Sequence, residues 1–372
     1  MLDKLNEKTI NRIDFEDISK VTYKDIVNSI IKEPDISDFK PHNICKIDPR
    51  TSNRIVYSTG RAKRPHDNRP ISTKKQEFSC VVCEGKTTGI IDKTPLSEGF
   101  TFINKNLFPI LYPEGYKGTN IEPGKGNIKT EGEKAVGMHF VQWSSNYHDK
   151  DIHNMPLKDV ETVLHRLAIL EEKMLHSKDS FMPSTKDYES EEHFGYGGII
   201  KNYGRLVGGS LFHGHQQIIH TNIMPGKIKE DLKFREKYGR TFSAFILEKN
   251  PEHLTLKDMG TVKILVPYFM KRPLDTMIIL KNSSKNYLHH LNNQEISDLA
   301  LALQINLKSV PELMIKIGRE PAYNVIFHTG PSVGFYIEVL PYTQETGGYE
   351  HIGIYICQSS PELTVELYKP YY

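Results

Sequence analysis

The sequence predicts a chain of mixed strands and helices in which one order, strand, helix, strand, loop, strand, occurs twice. Two observations carry this. Val160, Leu164, Leu167, Leu170 and Met174, and again Ile296, Leu299, Leu303, Leu307 and Val310, recur at helical spacing. Strand-like segments flank each run: GMHFVQWS and YGGIIKN around the first, LDTMIILK and AYNVIFHTGP around the second. A further strand then closes each copy, within GGSLFHGHQQIIH in the first and as GFYIEVLP in the second. The repetition implies an ancient duplication. Tyr336 stands where the first copy has an imidazole, so only one half is expected to keep a histidine nucleophile.

Taken in order, residues 1 to about 40 are charged and weakly periodic, consistent with a short helix or an arm laid over the body. Arg54 to Tyr57 reads as a strand that enters a basic, proline-punctuated loop, STGRAKRPHDNRP, where Arg61 and Arg64 can reach phosphates. After CVVC, the segment NLFPILYPEGYKGTNIEPGKGN is loop-rich, and Asn106, Phe108 and Pro109 suit an irregular, ligand-facing wall. A helix is expected between Met155 and His176, with Asn154 and Pro156 as start signals, and it is most simply core packing. Asn292 with Glu295 has the spacing of a capping box ahead of the second helix.

A chain of 372 residues can bury a substantial core, and its length allows two domains or one enlarged one. The formal charge of +2, with Lys and Arg spread along the chain, gives no signal for nucleic acid. There is no apolar run of membrane-spanning length, and MLDKLNEKTINRIDFED lacks the apolar block of a signal peptide. A soluble, cytoplasmic protein that binds neither membrane nor nucleic acid is expected. Cys45, Cys80, Cys83 and Cys357 are too few for a disulfide framework, and only Cys80 and Cys83 look paired. Cys-Val-Val-Cys fits half of a tetrahedral zinc site, or else a redox pair. His148 and His213 are the candidate partners.

The most informative segment is GGSLFHGHQQIIH. Alternate residues of an extended strand project to one face, so His213, His215 and Gln217 would line one wall. One imidazole there can attack phosphorus, its neighbour can be held by metal or hydrogen bonds, and the amide can cradle a phosphoryl oxygen. Upstream, Asn202, Gly204, Gly208, Gly209 and Ser210 form a small-residue loop whose backbone can approach a phosphate closely. Taken singly, the strand also fits a histidine-rich wet edge and the loop an ordinary turn; their adjacency carries the weight.

From about Arg54 to the C-terminus the chain resembles the galactose-1-phosphate uridylyltransferases, within the wider histidine-triad superfamily. The residues that carry the resemblance occur in the family's order: RIVYSTGRAKRP, CVVC, NLFP, a strand followed by His148, NYGRLVGGSLFHGHQQ, and IEVLPYTQETGGYEHIGIYICQSSPE. The resemblance implies an α+β fold of two histidine-triad-like halves, with largely antiparallel sheets and flanking helices. It divides the chain into an N-terminal arm (1–45), a catalytic half with a zinc site (46–235) and a second half contributing to a sugar-phosphate site (236–372).

By the same resemblance His215 is the nucleophile and Gln217 its catalytic companion, with Gly214 in place of the family's proline, a change expected to loosen the backbone. Cys80, Cys83, His148 and His213 are the implied zinc ligands, and binding His213 would anchor the strand that carries His215. Arg61, Arg64, Asn106, Asn202, Ser210 and Gln217 are the implied nucleotide and phosphate contacts, and Tyr349 and Glu350 the sugar-phosphate contacts. A second metal site is only partly kept: His328 and Asp231 fit and Glu338 can substitute, but Tyr336 replaces a ligand histidine, so this site is expected without metal. Ile356 stands in place of a glutamine associated with hexose recognition.

The implied chemistry is nucleotidyl transfer. Neutral His215 attacks the α-phosphorus of a nucleotide sugar, expels sugar 1-phosphate, and holds the nucleotide until a second phosphate takes it. The family default is transfer of uridylate from UDP-glucose to a hexose 1-phosphate in galactose and carbohydrate metabolism, by an enzyme that is commonly a homodimer. Gln217 favours transfer over hydrolysis, because an amide cannot protonate a poor leaving group as a third histidine does. The alternatives are a phosphorylase that uses inorganic phosphate on a nucleotide sugar or dinucleoside polyphosphate, and a nucleotide-binding protein that has lost its chemistry.

Overall fold

The computed structural model describes residues 3–64, 80–113, 130–186 and 192–372. Its centre is a ten-stranded sheet in which every strand pair is antiparallel. Its strands are β1 (Ile90–Pro95), β2 (Phe100–Lys105), β3 (Gly137–Trp143), β4 (Tyr196–Tyr203), β5 (His215–Thr221), β6 (Thr255–Met259), β7 (Val262–Leu265), β8 (Thr276–Leu280), β9 (Tyr323–His328) and β10 (Tyr336–Pro341). Across the sheet they run β6-β7-β8-β10-β9-β4-β5-β3-β2-β1. Each half contributes five consecutive strands in mirrored order, and β4 and β9 join them, Ile200 opposite Ile326. The two halves therefore share one continuous α+β sheet.

The helices are α1 (Tyr23–Ile31), α2 (Leu157–Leu175), α3 (Gly226–Tyr238), α4 (Phe242–Lys249), α5 (Asn293–Lys316) and α6 (Pro361–Tyr368), with a four-residue turn of helix at Gly348–His351. The two helices expected from periodicity are α2 and α5. Pro156, which lacks an N–H to leave unpaired, caps the start of α2. At α5, Asn292 and Glu295 form the expected capping box. Both helices cover the same face of the sheet. Val163, Leu164 and Leu167 from α2 join Phe140, Ile199 and Ile218, and Leu299, Leu303 and Leu307 from α5 join Ile278, Val325, Ile337 and Val339, in one buried core. On the opposite face α3 and α4 pack Ile228 and Ile246 against Leu265, Met277, Ile279 and Tyr336, and two cavities open beside them.

The N-terminal segment is built into this body. Thr22 and Asp25 cap α1 reciprocally, and Ile18, Ile26, Ile30 and Ile36 are buried in the main core. Farther forward, the Leu5 N–H donates to the Asn146 carbonyl (2.8 Å) and the His148 N–H to the Asp3 carbonyl (2.8 Å), tying the chain start to the loop that bears His148. Buried Lys105 on β2 meets Glu33 at 2.7 Å and also pairs with Asp14. The expected boundary at residue 235 falls inside α3. No helix among the described residues is long and apolar enough to cross a membrane.

Candidate active site

Residues opposed across an antiparallel ladder project to one side of the sheet, and His215 opposes Trp143 while Gln217 opposes Val141 and Ile200. This face is the one turned away from α2. Over it lies a cavity of about 290 Å3 lined by His215, Gln217, Arg64, Asn106, Ser210 and Trp143, among others. Five of the residues expected at the site thus meet in one place.

His215 is only 8 % exposed, and its Nδ1 lies 2.8 Å from the His213 carbonyl oxygen. A carbonyl only accepts, so Nδ1 carries the ring proton and the Nε2 lone pair is left unused by it. Burial, helped by the Lys201 charge, lowers the pKa of the ring to about 4. It is a neutral imidazole.

Gln217 is oriented by a residue that the sequence reading did not single out, His139 on β3. The Ile110 N–H donates to His139 Nδ1 (3.3 Å), which places the ring proton on Nε2; of the two atoms 3.1 Å from Nε2, Gln217 Oε1 and Asn106 Nδ2, only the oxygen can accept it. The Gln217 oxygen is thus occupied as an acceptor, and its NH2 remains to donate. Burial, with Arg61 nearby, lowers the His139 pKa to about 3, so this ring too is neutral. The signal was present in GMHFVQW, whose alternation puts His139, Val141 and Trp143 on one face. Asn106 completes the wall: its Oδ1 accepts the Phe108 N–H at 2.9 Å.

The backbone under His215 is clamped. Lys201 Nζ lies 2.6 Å from Asp151 Oδ2 and donates to the His215 carbonyl at 3.2 Å. Burial pushes the Asp151 carboxyl up, but Lys201 and the Ser144 hydroxyl more than offset this and leave it below the ordinary range. Gly214 sits against that carboxylate: a Cβ there would meet Asp151 Cγ at 2.5 Å. From the sequence alone, Gly214 is expected to loosen the strand entry. The packing gives the glycine a different reason, since only a residue without Cβ admits Asp151 and its lysine partner. In the preceding loop Gly204 and Gly208 have φ of +88° and +85°, a region costly for other residues.

Cys80, Cys83, His148 and His213 converge beside this strand, their ligand atoms all within 4.8 Å of one another. Cys80 Sγ and Cys83 Sγ lie 3.7 and 3.6 Å from His213 Nδ1, and Cys83 Sγ lies 3.7 Å from His148 Nδ1. A tetrahedral ion bound at ordinary zinc distances would set sulfur–nitrogen edges of about 3.6 Å. His213 Nε2, 2.8 Å from the Ser145 carbonyl, must donate there, so Nδ1 is the ring's free ligand atom. These residues can hold a metal ion, and the geometry fits one.

Arg64 lines the cavity half-buried, and its Nε has no hydrogen-bond partner among the described residues. Arg61 donates to the Phe108 carbonyl (2.7 Å) just behind the wall; burial, then the neighbouring Arg64, lowers its pKa to about 10. Among the described residues neither guanidinium makes an ion pair with a carboxylate. Asn202 shares the face of Gln217 but does not line the cavity; its Oδ1 accepts from Asn324 Nδ2 at 2.7 Å.

The remaining expected residues lie elsewhere in the chain. Glu350 lines a second cavity of about 730 Å3 on the other half, with Tyr336, Glu338, Asp231, His328 and Arg272. Tyr349 beside it is exposed, and Ile356 is exposed and lines neither cavity, although its neighbour Tyr355 lines the second. Around Tyr336 the residues of the implied second metal site do gather: His328 Nε2 lies 2.7 Å from Glu338 Oε2, and the Tyr336 hydroxyl donates to Asp231 at 3.4 Å. Burial raises the Asp231 pKa to about 6.

Fold and site together define a duplicated α+β chain with one intact histidine strand, flanked by a metal-type cluster and by two arginines that, among the described residues, meet no carboxylate. Comparison with known proteins places its likeness. No protein-family model matches the chain. It is 23% identical over 337 residues to ADP-glucose phosphorylase of Arabidopsis thaliana, covering 85% of this chain and 89% of that protein. It is 24% identical over 290 residues to galactose-1-phosphate uridylyltransferase of Saccharomyces cerevisiae, covering 73% and 75%. A solved uridylyltransferase structure superposes with a TM-score of 0.65 at 21% identity, over 88% of this chain and 98% of that one. An Arabidopsis thaliana ADP-glucose phosphorylase solved with bound ADP-glucose gives 0.61 at 19% identity, over 87% and 98%. The chain thus resembles the galactose-1-phosphate uridylyltransferase family along most of its length, and it has that fold.

Proposed function

We propose that this protein is a nucleotidyltransferase that moves a nucleoside monophosphate from a nucleotide sugar to a phosphate acceptor through a covalent intermediate on His215 Nε2. The observation that carries the reading is the meeting, in one cavity, of a neutral imidazole whose Nε2 lone pair the His213 contact leaves unused and a half-buried Arg64 that, among the described residues, has no carboxylate partner. A cation left uncompensated by protein is a ready partner for a phosphate.

In the first step Nε2 forms a bond to the α-phosphorus and the bond to the sugar-phosphate oxygen breaks, with both electrons leaving on that oxygen. Sugar 1-phosphate is weakly basic and departs without a proton, so the tasks of the site are alignment and charge neutralisation. The positive charge on the ring in the phosphoramidate is relieved at the His213 carbonyl, which accepts the Nδ1 proton's hydrogen bond throughout. Gln217, steered by His139, supplies an amide donor to a phosphoryl oxygen, and Arg64 faces the same charge. The second step reverses the first with a new phosphate oxygen. Cys80, Cys83, His148 and His213 would hold a zinc ion, which would fix the segment bearing His215 and take no part in bond making.

For the acceptor, the likeness to uridylyltransferases supports a hexose 1-phosphate, with UDP-glucose as donor. A second reading, a phosphorylase that uses inorganic phosphate on ADP-glucose, is favoured by one specific placement: Tyr349 and Glu350 do not line the His215 cavity of their own chain. Incubation with UDP-glucose or ADP-glucose followed by intact mass measurement tests both. A gain of one uridylate or adenylate names the base, and release by galactose 1-phosphate or by phosphate names the acceptor. No adduct from either donor would support a protein that binds nucleotides without chemistry.

A further inference from the structure

We propose that His176, His193, His289 and His290 form a second metal-binding site, for a borderline divalent transition ion such as zinc, that ties the two halves together. The four come from separate places. His176 caps the C-terminal end of α2, His193 lies in the short strand Glu192–Phe194 ahead of β4, and His289 and His290 lie in the Leu288–His290 turn ahead of α5. Their ligand atoms nevertheless all fall within 4.8 Å of one another.

The details suit an ion. His289 Nδ1 lies 2.7 Å from Glu171 Oε2, and the His289 N–H reaches the same oxygen at 3.0 Å. A buried carboxylate that takes the Nδ1 proton fixes the tautomer and turns the Nε2 lone pair to the other side, the arrangement in which a carboxylate supports a metal-bound histidine. That Nε2 lies 3.3 Å from His176 Nε2. Nitrogens bound to one tetrahedral zinc ion at ordinary distances stand about 3.3 to 3.4 Å apart. The His289 ring is nearly perpendicular to those of His176 (88°) and His290 (82°), so lone pairs can converge while faces do not stack. Protonated imidazoles this close would repel one another, whereas a divalent cation is an ordinary partner for such a group.

The donor set is all imidazole, which suits zinc, nickel, cobalt or copper, and it differs from the thiolate-containing group near His213. The two groups also lie apart along α2: the Cys80 group includes His148 in the loop leading into that helix, and the histidine group lies at its far end. Four protein ligands close a site to water, so its role is structural. It links α2 and the approach to β4 in the first half to the start of α5 in the second. This inference does not depend on the proposed reaction.

The test counts zinc in the full-length protein, stripped with chelator and equilibrated with buffered submicromolar free zinc. The His176→Gln/His289→Gln variant should hold one zinc per chain fewer than the unaltered protein, and a Cys80→Ser/Cys83→Ser variant should keep one zinc that the added histidine changes remove. Cobalt separates the sites spectroscopically: the histidine group should give visible ligand-field bands without sulfur-to-cobalt charge transfer, and these alone should vanish in the histidine variant. Should the cysteine variant fail to fold, the histidine variant in the native cysteine background decides by count and by spectrum. An unchanged zinc count on removing His176 and His289, or filling of the group only at millimolar zinc, would overturn the proposal.

Discussion

The two halves of the sheet share a topology and differ in chemistry at matching positions. Ile200 opposes Ile326 at the centre, Gln217 opposes Ile200, and Glu338 opposes Ile326. Symmetry therefore sets Gln217 against Glu338, His215 against Tyr336 and His213 against Gly334. One strand farther, Val141 opposes Gln217 and Met277 opposes Glu338, which sets His139 against Asp275. Where the first half gathers thiols and imidazoles, the second is filled: the Gly334 N–H donates to Asn286 Oδ1 at 2.9 Å, and a Cβ on Gly334 would meet Ser243 Oγ at 2.3 Å. Where the first half presents a neutral imidazole and an arginine that meets no carboxylate among the described residues, the second closes carboxylates onto His328 and Tyr336. One fold thus carries two surfaces that differ in a few side chains, and the proposed chemistry belongs to only one of them.

The sharpest way to break this contrast is to move the nucleophile. His215→Ala should lower nucleotidyl transfer by on the order of 10⁴-fold or more, and adding Tyr336→His should restore nothing, because Arg272 in the second cavity is already held by Asp275 and carboxylates crowd Tyr336. Release of sugar 1-phosphate measures both; recovery in the double variant would contradict the comparison. Gly214→Pro should cost roughly 10²-fold in kcat by displacing Asp151 and misplacing the His215 ring, with circular dichroism unchanged. If that variant keeps full activity, the clamp under His215 is not needed. Gln217→Glu copies the second half into the first. A carboxylate beside phosphate replaces a donor with a repelling charge, so a fall of roughly 10²-fold is expected, read as kcat/KM.

A smaller effect concerns pH. His139 is neutral in the fold with its pKa lowered to about 3, whereas an unfolded histidine takes a proton below about 6.5. The unfolded state binds the extra proton in that window, so stability is full above about pH 6.5 and is lost as pH falls. Between pH 6.5 and 5.5 the native protein should lose on the order of 1 kcal/mol more than His139→Gln does, measured by urea unfolding at the two pH values. Equal losses would place the proton uptake elsewhere.

Much of this contrast was legible in the sequence, for identifiable reasons. Helical spacing located α2 and α5, strand alternation located β3, β4, β8, β9 and β10, and the order of elements exposed the duplication and set Tyr336 against the first half's imidazole. The grouping of Cys80, Cys83, His148 and His213 followed from motif and resemblance, and the structure brings those four together. What stayed hidden depends on register and on contacts between distant segments. The β4–β9 pairing that merges two sheets has no local signature. His139 was readable as inward-facing but not as the partner of Gln217, since that needs the alignment of β3 with β5. Gly214 looked like lost rigidity because the carboxylate that needs its missing Cβ, Asp151, lies on another loop. The four-histidine group joins residues more than a hundred positions apart.

The most direct test of the central asymmetry is to locate the adduct. Protein incubated with nucleotide sugar, quenched under conditions that spare phosphoramidates, and digested should yield a single peptide carrying one nucleoside monophosphate, with the modification on His215. A nucleotide found on any other residue, a second modified peptide from the half that contains Tyr336, or no modification with either UDP-glucose or ADP-glucose would contradict it.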